Sequence, residues 1–246
     1  HKPAGVPLFA LAKGDWRPGD GAVGEAFRDT VLRRLPELGL EKLRLVTNLD
    51  REPSGLVLAA RTVEAVHALS GCSRRFLALV DATSLSADSR VCGSSWTCEE
   101  PLRPLRRTCQ RGAERLPEAA RTEFVMLHSF EHEEVALVEA KPSTDLPQQV
   151  QRHCRHLCLP IAGDRAFGAA RLNHRFKGIF GLQRVFLHCH YLEPHCEGDG
   201  ARTIPIRAPL PRELQSVLLR FMSTCSGSRL PRSLSEDLGL PPSVAE

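Results

Sequence analysis

Asp50 stands between Leu49 and Arg51 in the stretch V-T-N-L-D-R-E-P-S-G, residues 46 to 55, directly ahead of the apolar run L-V-L-A-A. A carboxylate at the end of one strand-like run and the start of the next is placed to face a cleft, because loops on a rigid sheet collect catalytic groups. Such a group could serve as nucleophile or general base. Taken alone, the stretch reads equally as a turn in which Asp50 caps the backbone or pairs with Arg51. Two clusters suggest metal chemistry instead: His153, Cys154, His156 and Cys158 in one segment, and His188, Cys189, His190, His195 and Cys196 in another. Neither has the paired C-x-x-C spacing of a structural zinc site, and Cys154 and Cys158 fall on an apolar helical face, so packing is the favoured reading and no metal is expected.

The elements that would position Asp50 follow from hydrophobic periodicity. Residues 7 to 19 are rich in Gly, Pro and Asp, and Asp20 can cap a helix with Val23, Phe27 and Val31 at i+4 intervals. Strand-like stretches cover Leu43 to Val46 and Gly55 to Ala60, and Thr62 opens a short helix through Val63, Val66 and Leu69. Phe76 to Val80 is a compact apolar strand, too short for a helix. Residues 83 to 120 hold Ser, Cys, Arg and Pro with little period and read as an irregular or inserted segment. Thr122 to His128 and Glu134 to Ala140, separated by Glu131-His132-Glu133, predict an antiparallel hairpin. Pro147 suits a first helical turn, and Val150, Cys154, Leu157 and Cys158 form one apolar face behind it, leaving Gln148, Gln151, Arg152 and Arg155 off that face. Strands are expected at 184 to 192 and 204 to 208, and a helix from Arg212 to Phe221. The fold class is therefore α+β, a mixed but mainly antiparallel sheet flanked by helices, occupying 1–221, with a C-terminal tail over 222–246 that holds at most one small helical piece.

The 246 residues carry 33 Lys+Arg against 29 Asp+Glu, a formal +4. That excess permits a nucleic-acid partner without demanding one. Most of the cations are arginines, in runs such as Arg103-Pro104-Leu105-Arg106-Arg107, and guanidinium is the better fork for phosphate. Nine unevenly spaced cysteines argue against a secreted disulfide scaffold and for a reducing intracellular compartment. No apolar run approaches the length of a membrane span.

Six stretches, taken in order, decide between the two readings of Asp50. They are His1-Lys2-Pro3-Ala4-Gly5-Val6-Pro7, Leu49-Asp50-Arg51-Glu52-Pro53-Ser54-Gly55-Leu56, Arg74-Arg75-Phe76-Leu77-Ala78-Leu79-Val80, Ala120-Arg121-Thr122-Glu123-Phe124, Pro160-Ile161-Ala162-Gly163-Asp164-Arg165-Ala166-Phe167-Gly168 and Leu187-His188-Cys189-His190-Tyr191-Leu192. Together they resemble the RluA/RsuA-type RNA pseudouridine synthases, whose motifs N-K-P-x-G, H-R-L-D-R-E-T-S-G-L, K-x-Y-x-A-L-V, A-x-T-x-Y, P-I-x-G-D-x-x-Y-G and L-H-A-x-x-L occur in that order. The resemblance spans most of residues 1 to 211.

The resemblance implies an intramolecular isomerase that needs no cofactor and no metal, and that rejoins a flipped-out uracil to its ribose through carbon instead of nitrogen. It makes Asp50 the catalytic carboxylate. It places Asn48, Arg51, Phe76, Gln151, Arg152 and Arg155 on the substrate or RNA side, with Phe76 stacking on the base where the family has tyrosine. The family's arginine ahead of L-D is Asn48 here, and the histidine before it is Thr47. Its G-R-T-H-Q-I-R helix start aligns with Asp145-Leu146-Pro147-Gln148-Gln149-Val150-Gln151, so the arginine that pairs with the catalytic aspartate reads as Gln151. A neutral amide supplies no charge, which predicts weaker electrostatic support for Asp50; Arg155, one turn on, is the better-placed substitute and Arg152 the worse. The expected partner is structured RNA, ribosomal RNA first and a ribosomal subunit precursor with it, and no membrane. The expected location is the mitochondrion, with cytoplasm and nucleus as alternatives. The competing reading is a catalytically degenerate RNA-binding or ribosome-assembly factor that keeps the fold.

Overall fold

The computed structural model describes residues 1–6, 8, 44–69, 71–103, 116–195, 204–224 and 229–242. The helix expected behind Asp20 lies outside the described residues. Short strands β1 (Arg44–Leu45) and β3 (Ala59–Ala60) form a two-stranded ribbon, and β2 (Ser54–Gly55) lies between them in sequence but joins a different sheet. Helix α1 (Val63–Ala68) starts where Thr62 predicts it, the threonine hydroxyl accepting from the Ala65 N–H at 3.2 Å.

The main sheet is built on β4 (Ser73–Asp81), β5 (Ser95–Cys98), β6 (Thr122–Phe130), β7 (Val135–Pro142), β8 (Leu187–Glu193) and β9 (Ile206–Arg207). Its order is β2-β8-β4-β7-β6-β5, with β9 also pairing β8, and every pair is antiparallel except β2 with β8. The sheet is therefore mixed and mainly antiparallel, as expected. The β6–β7 hairpin turns over a short 3-10 helix at Glu131–Glu133. The segment read as irregular contributes more than its composition suggests, because Ser95–Cys98 pairs with β6 as an edge strand, with Trp96 stacked against Phe124 at 6.0 Å.

Both faces of the central strands are covered, which is why β4 reads as a continuous apolar run. Successive side chains alternate between two cores. Phe76, Ala78 and Val80 point into one, shared with Val150 and Cys154 of α2 (Gln149–His156). Leu77 and Leu79 point into the other, filled by Phe176 and Phe180 of α3 (Ala170–Phe180) and Phe221 of α4 (Arg212–Thr224). The register between β4 and β8 shifts at Arg75/Phe76, a bulge beside the pocket described below. Beyond α4, helix α5 (Arg232–Leu238) returns to the second core through Leu230, Leu238 and Leu240. The boundary expected at 221 thus falls inside a helix, and the segment read as a tail packs against the domain.

Candidate active site

Asp50 sits on the loop between β1 and β2, and that loop is held from three directions. Gly55 pairs in parallel with Cys189 at φ +137°, where a Cβ would come within 2.3 Å of the Cys189 carbonyl oxygen. Only glycine fits so close an approach. The N-terminal residues strap the other side: Lys2 exchanges backbone hydrogen bonds with Gly55, and its fully buried ammonium donates to the carbonyls of Pro3 (2.9 Å), Val6 (3.0 Å) and Arg51 (3.0 Å). Burial and the Arg184 charge push Lys2 down to about 7, against the opposing pull of Asp50. The third hold is on Asp50 itself, whose Oδ2 accepts the Gln148 backbone N–H at 2.9 Å.

Gln148 offers that N–H because it adopts a left-handed conformation, φ 54°, ahead of α2. Gln149 fixes the turn. Its buried amide accepts from Leu146 N (3.1 Å) and Thr144 Oγ1 (2.8 Å) and donates to Arg121 O (2.9 Å) and Thr122 Oγ1 (3.0 Å). Asp50 thereby opens onto a pocket lined by Asn48, Arg74, Phe76, Asp145 and Gln151 among others. The buried Phe76 ring forms an apolar wall, with the Arg74 guanidinium 5.8 Å from its centroid.

Asp50 is raised to about 6. Burial is the largest cause, the Gln148 N–H opposes it, the Asp145 charge adds to it, and the charges of Arg74 and Lys2 oppose it. The carboxylate is thus mostly ionised at neutral pH but poorly stabilised, a reactive state for a nucleophile or base.

Two sequence expectations need correction, the surroundings of Gln151 and the use of Arg155 as a substitute cation. Gln151 does not lie on an open face: it is buried, and its Nε2 donates to Asp164 Oδ2 at 2.9 Å, although the residue still lines the pocket. Asp164 attracts it because that buried carboxylate organises the following turn, accepting from Ala166 N and Phe167 N. Arg155 is exposed and lies outside the pocket lining, and Arg152 turns away to the Arg103 carbonyl at 2.6 Å, so neither replaces the missing cation. Arg51 is also exposed and donates to Gly5 O at 3.0 Å. Asn48 and Phe76 do line the pocket.

The residues that sequence reasoning missed are Arg74 and Asp145. Arg74 pairs with Asp145 at 2.7 Å and also donates to the Asn48 carbonyl. The sequence carries a signal for Arg74, since i and i+2 on a strand share a face and Phe76 marks the face of the site. Four residues of the two histidine and cysteine clusters have partners in the fold. His153 bonds Thr122 Oγ1 and Glu100 O, His188 bonds Ser54 Oγ, and Cys154 and Cys189 fill the first core.

A family model described as RNA pseudouridylate synthase matches residues 1–156, a span that carries every pocket residue discussed above. The chain belongs to this family. It is 30% identical over 189 residues to the ribosomal large subunit pseudouridine synthase C of Yersinia pestis, covering 72% of this chain and 55% of that protein. An uncharacterized RNA pseudouridine synthase of Chloroflexus aurantiacus is 30% identical over 233 residues, covering 92% and 67%. The chain thus spans about half to two thirds of the length of these relatives. Among solved structures, human RNA pseudouridylate synthase domain containing 4 superimposes with a TM-score of 0.61 at 18% identity, covering 90% of this chain and 88% of that one. That likeness is one of fold: the family's α+β domain, with its mixed sheet flanked by helices, is the architecture seen here. The chain is therefore a divergent pseudouridine synthase family member.

Proposed function

We propose that the protein isomerises uridine to pseudouridine in structured RNA, with Asp50 as the catalytic carboxylate. The observation that carries this reading is the placement of Asp50: one oxygen is anchored on the Gln148 N–H, and the carboxylate shares a pocket with the Phe76 ring. A flipped uracil would stack on Phe76 and bring its glycosidic bond to Asp50. In the reaction the N1–C1′ bond breaks, the base turns, a C5–C1′ bond forms, N1 gains a proton and C5 releases one. Asp50 serves as nucleophile or base in this sequence, and Phe76, lacking a hydroxyl, takes no part in proton transfer. Lys2 and Gln149 act as positioning residues, holding the Asp50 loop and the α2 turn in register.

The RNA favoured as substrate is ribosomal, because the Yersinia pestis relative is named for the large ribosomal subunit. The mitochondrion is the proposed location and a subunit precursor a proposed partner. A second reading, RNA binding without chemistry, is favoured by one specific observation: Gln151 is committed to Asp164, so the helix brings no charge to Asp50. Incubating the protein with unmodified ribosomal RNA and mapping pseudouridine separates the two. The enzymatic reading expects conversion at a discrete uridine with wild type and none with Asp50→Asn. RNA binding without any conversion would favour the second.

A further inference from the structure

The backbone and side chains around Asp50 close a ring through Arg74. From Asn48 the chain runs to Asp50, whose Oδ2 accepts from Gln148 N; three residues back lies Asp145, which pairs with Arg74 Nη2 at 2.7 Å; and Arg74 Nη1 returns to the Asn48 carbonyl. Arg74 is buried, 8% exposed, while the Asp145 side chain is 39% exposed. A buried guanidinium inside a catalytic pocket has to be neutralised, and two carboxylates of the same pocket are available to do it.

We propose that Arg74 is the positioning cation of Asp50, delivered from β4 in place of the helix cation lost at position 151, and that Asp145 competes with Asp50 for its charge. The proposal rests on Asp50 being the reacting group. It explains why the site tolerates Gln151: the positive charge comes from the strand that also carries Phe76, so one element supplies both the stacking wall and the electrostatic support. It also assigns Asp145 a role. Both guanidinium edges are engaged, one by Asp145 and one by Asn48 O, so Asp50 meets the charge through space and not through a direct bond. The other groups acting on Asp50 are the Lys2 ammonium from the N-terminal strap and the Gln148 N–H from the α2 turn. The Lys2 ammonium is occupied by three carbonyls. Arg51, on the same loop, turns outward to Gly5.

The test follows the Asp50 carboxyl carbon by NMR titration in protein labelled at aspartate, with the resonance assigned by its loss in Asp50→Asn. Asp145→Asn removes the competitor and should lower the Asp50 midpoint by about one pH unit, the usual scale for a neighbouring charge. Arg74→Gln should raise it, Arg74→Lys should leave it nearer wild type, and Glu139→Gln, which alters an Arg75 partner, should leave it unmoved. An unchanged Asp50 midpoint in folded Asp145→Asn would overturn the proposal and leave Arg74 a purely structural tie between loops. If Arg74→Gln does not fold, Arg74→Met, which keeps the buried stem, decides, because Asp145→Asn also removes a charge that acts on Asp50 directly; a midpoint that does not rise in Arg74→Met would overturn the proposal. The readout needs no RNA. A protein that forms no pseudouridine yet shows these shifts would contradict the proposed function alone, and an active enzyme without them would contradict this inference alone.

Discussion

Burial of the Asp50 carboxylate carries a cost to stability. Its acidity is shifted from 3.8 to about 6 chiefly by burial, so the folded state holds a proton that the unfolded chain releases. For a carboxyl whose folded value is raised, stability falls as pH climbs from about 4 through 6, and the full cost is present above that. Asp50→Asn should therefore abolish conversion yet stabilise the protein by about 1 to 3 kcal/mol near pH 7.5, with the gain vanishing near pH 4. Thermal melts of the two proteins at both pH values check this. The same ionisation should govern the rate: kcat/KM is expected to rise tenfold per pH unit below about 6 and level off above it. A profile flat across that range would remove Asp50 from the chemistry. That Asp50, Asn48 and Phe76 share a pocket was legible because motif order marks them. Asp145 was not, because its role exists only once the chain brings β4 against the α2 turn, about 70 residues away in sequence.

At the scale of elements, the site depends on two junctions that propensity does not reveal. The first is β2, two residues long, which joins the sheet only because Gly55 lets its backbone touch Cys189. Gly55→Ala should cost several kcal/mol, on the order of 3, and release the Asp50 loop, seen as a lower urea midpoint and loss of the Asp50 to Gln148 hydrogen bond in amide exchange. The second is the start of α2, where the Gln149 side chain supplies four hydrogen bonds. Gln149→Leu would strand buried partners on Thr122 and Arg121 and should destabilise by about 2 to 4 kcal/mol, measurable by the same denaturation. Strand β4, the hairpin and α1 were legible from period and capping. The edge strand Ser95–Cys98 was not, since four residues with alternating burial give too short a pattern and its stability comes from pairing with β6.

For the whole molecule, one sheet with a core on each face separates function from support. The first core backs the pocket, and the second, packed by α3, α4 and α5, holds the sheet that carries it. Leu238 is fully buried in the second core, so Leu238→Ala should cost about 2 to 5 kcal/mol although it lies in a segment that reads as tail, a loss visible in the denaturation midpoint. Serine, proline and glycine around residues 224 to 242 disguise three leucines whose packing is set by distant partners, which is why composition alone misplaced this segment. Binding of RNA to the formally +4 chain should weaken steeply with salt if arginine contacts to phosphate dominate, and an affinity unchanged between low and moderate salt would argue against such contacts. The central claim is that this pocket moves the ribose bond from N1 to C5 of uracil, a change that expels the C5 hydrogen. The most direct measurement is tritium release from ribosomal RNA labelled at uridine C5. Stoichiometric, time-dependent release with wild type and none with Asp50→Asn is expected, and no release by wild-type protein bound to that RNA would contradict the account.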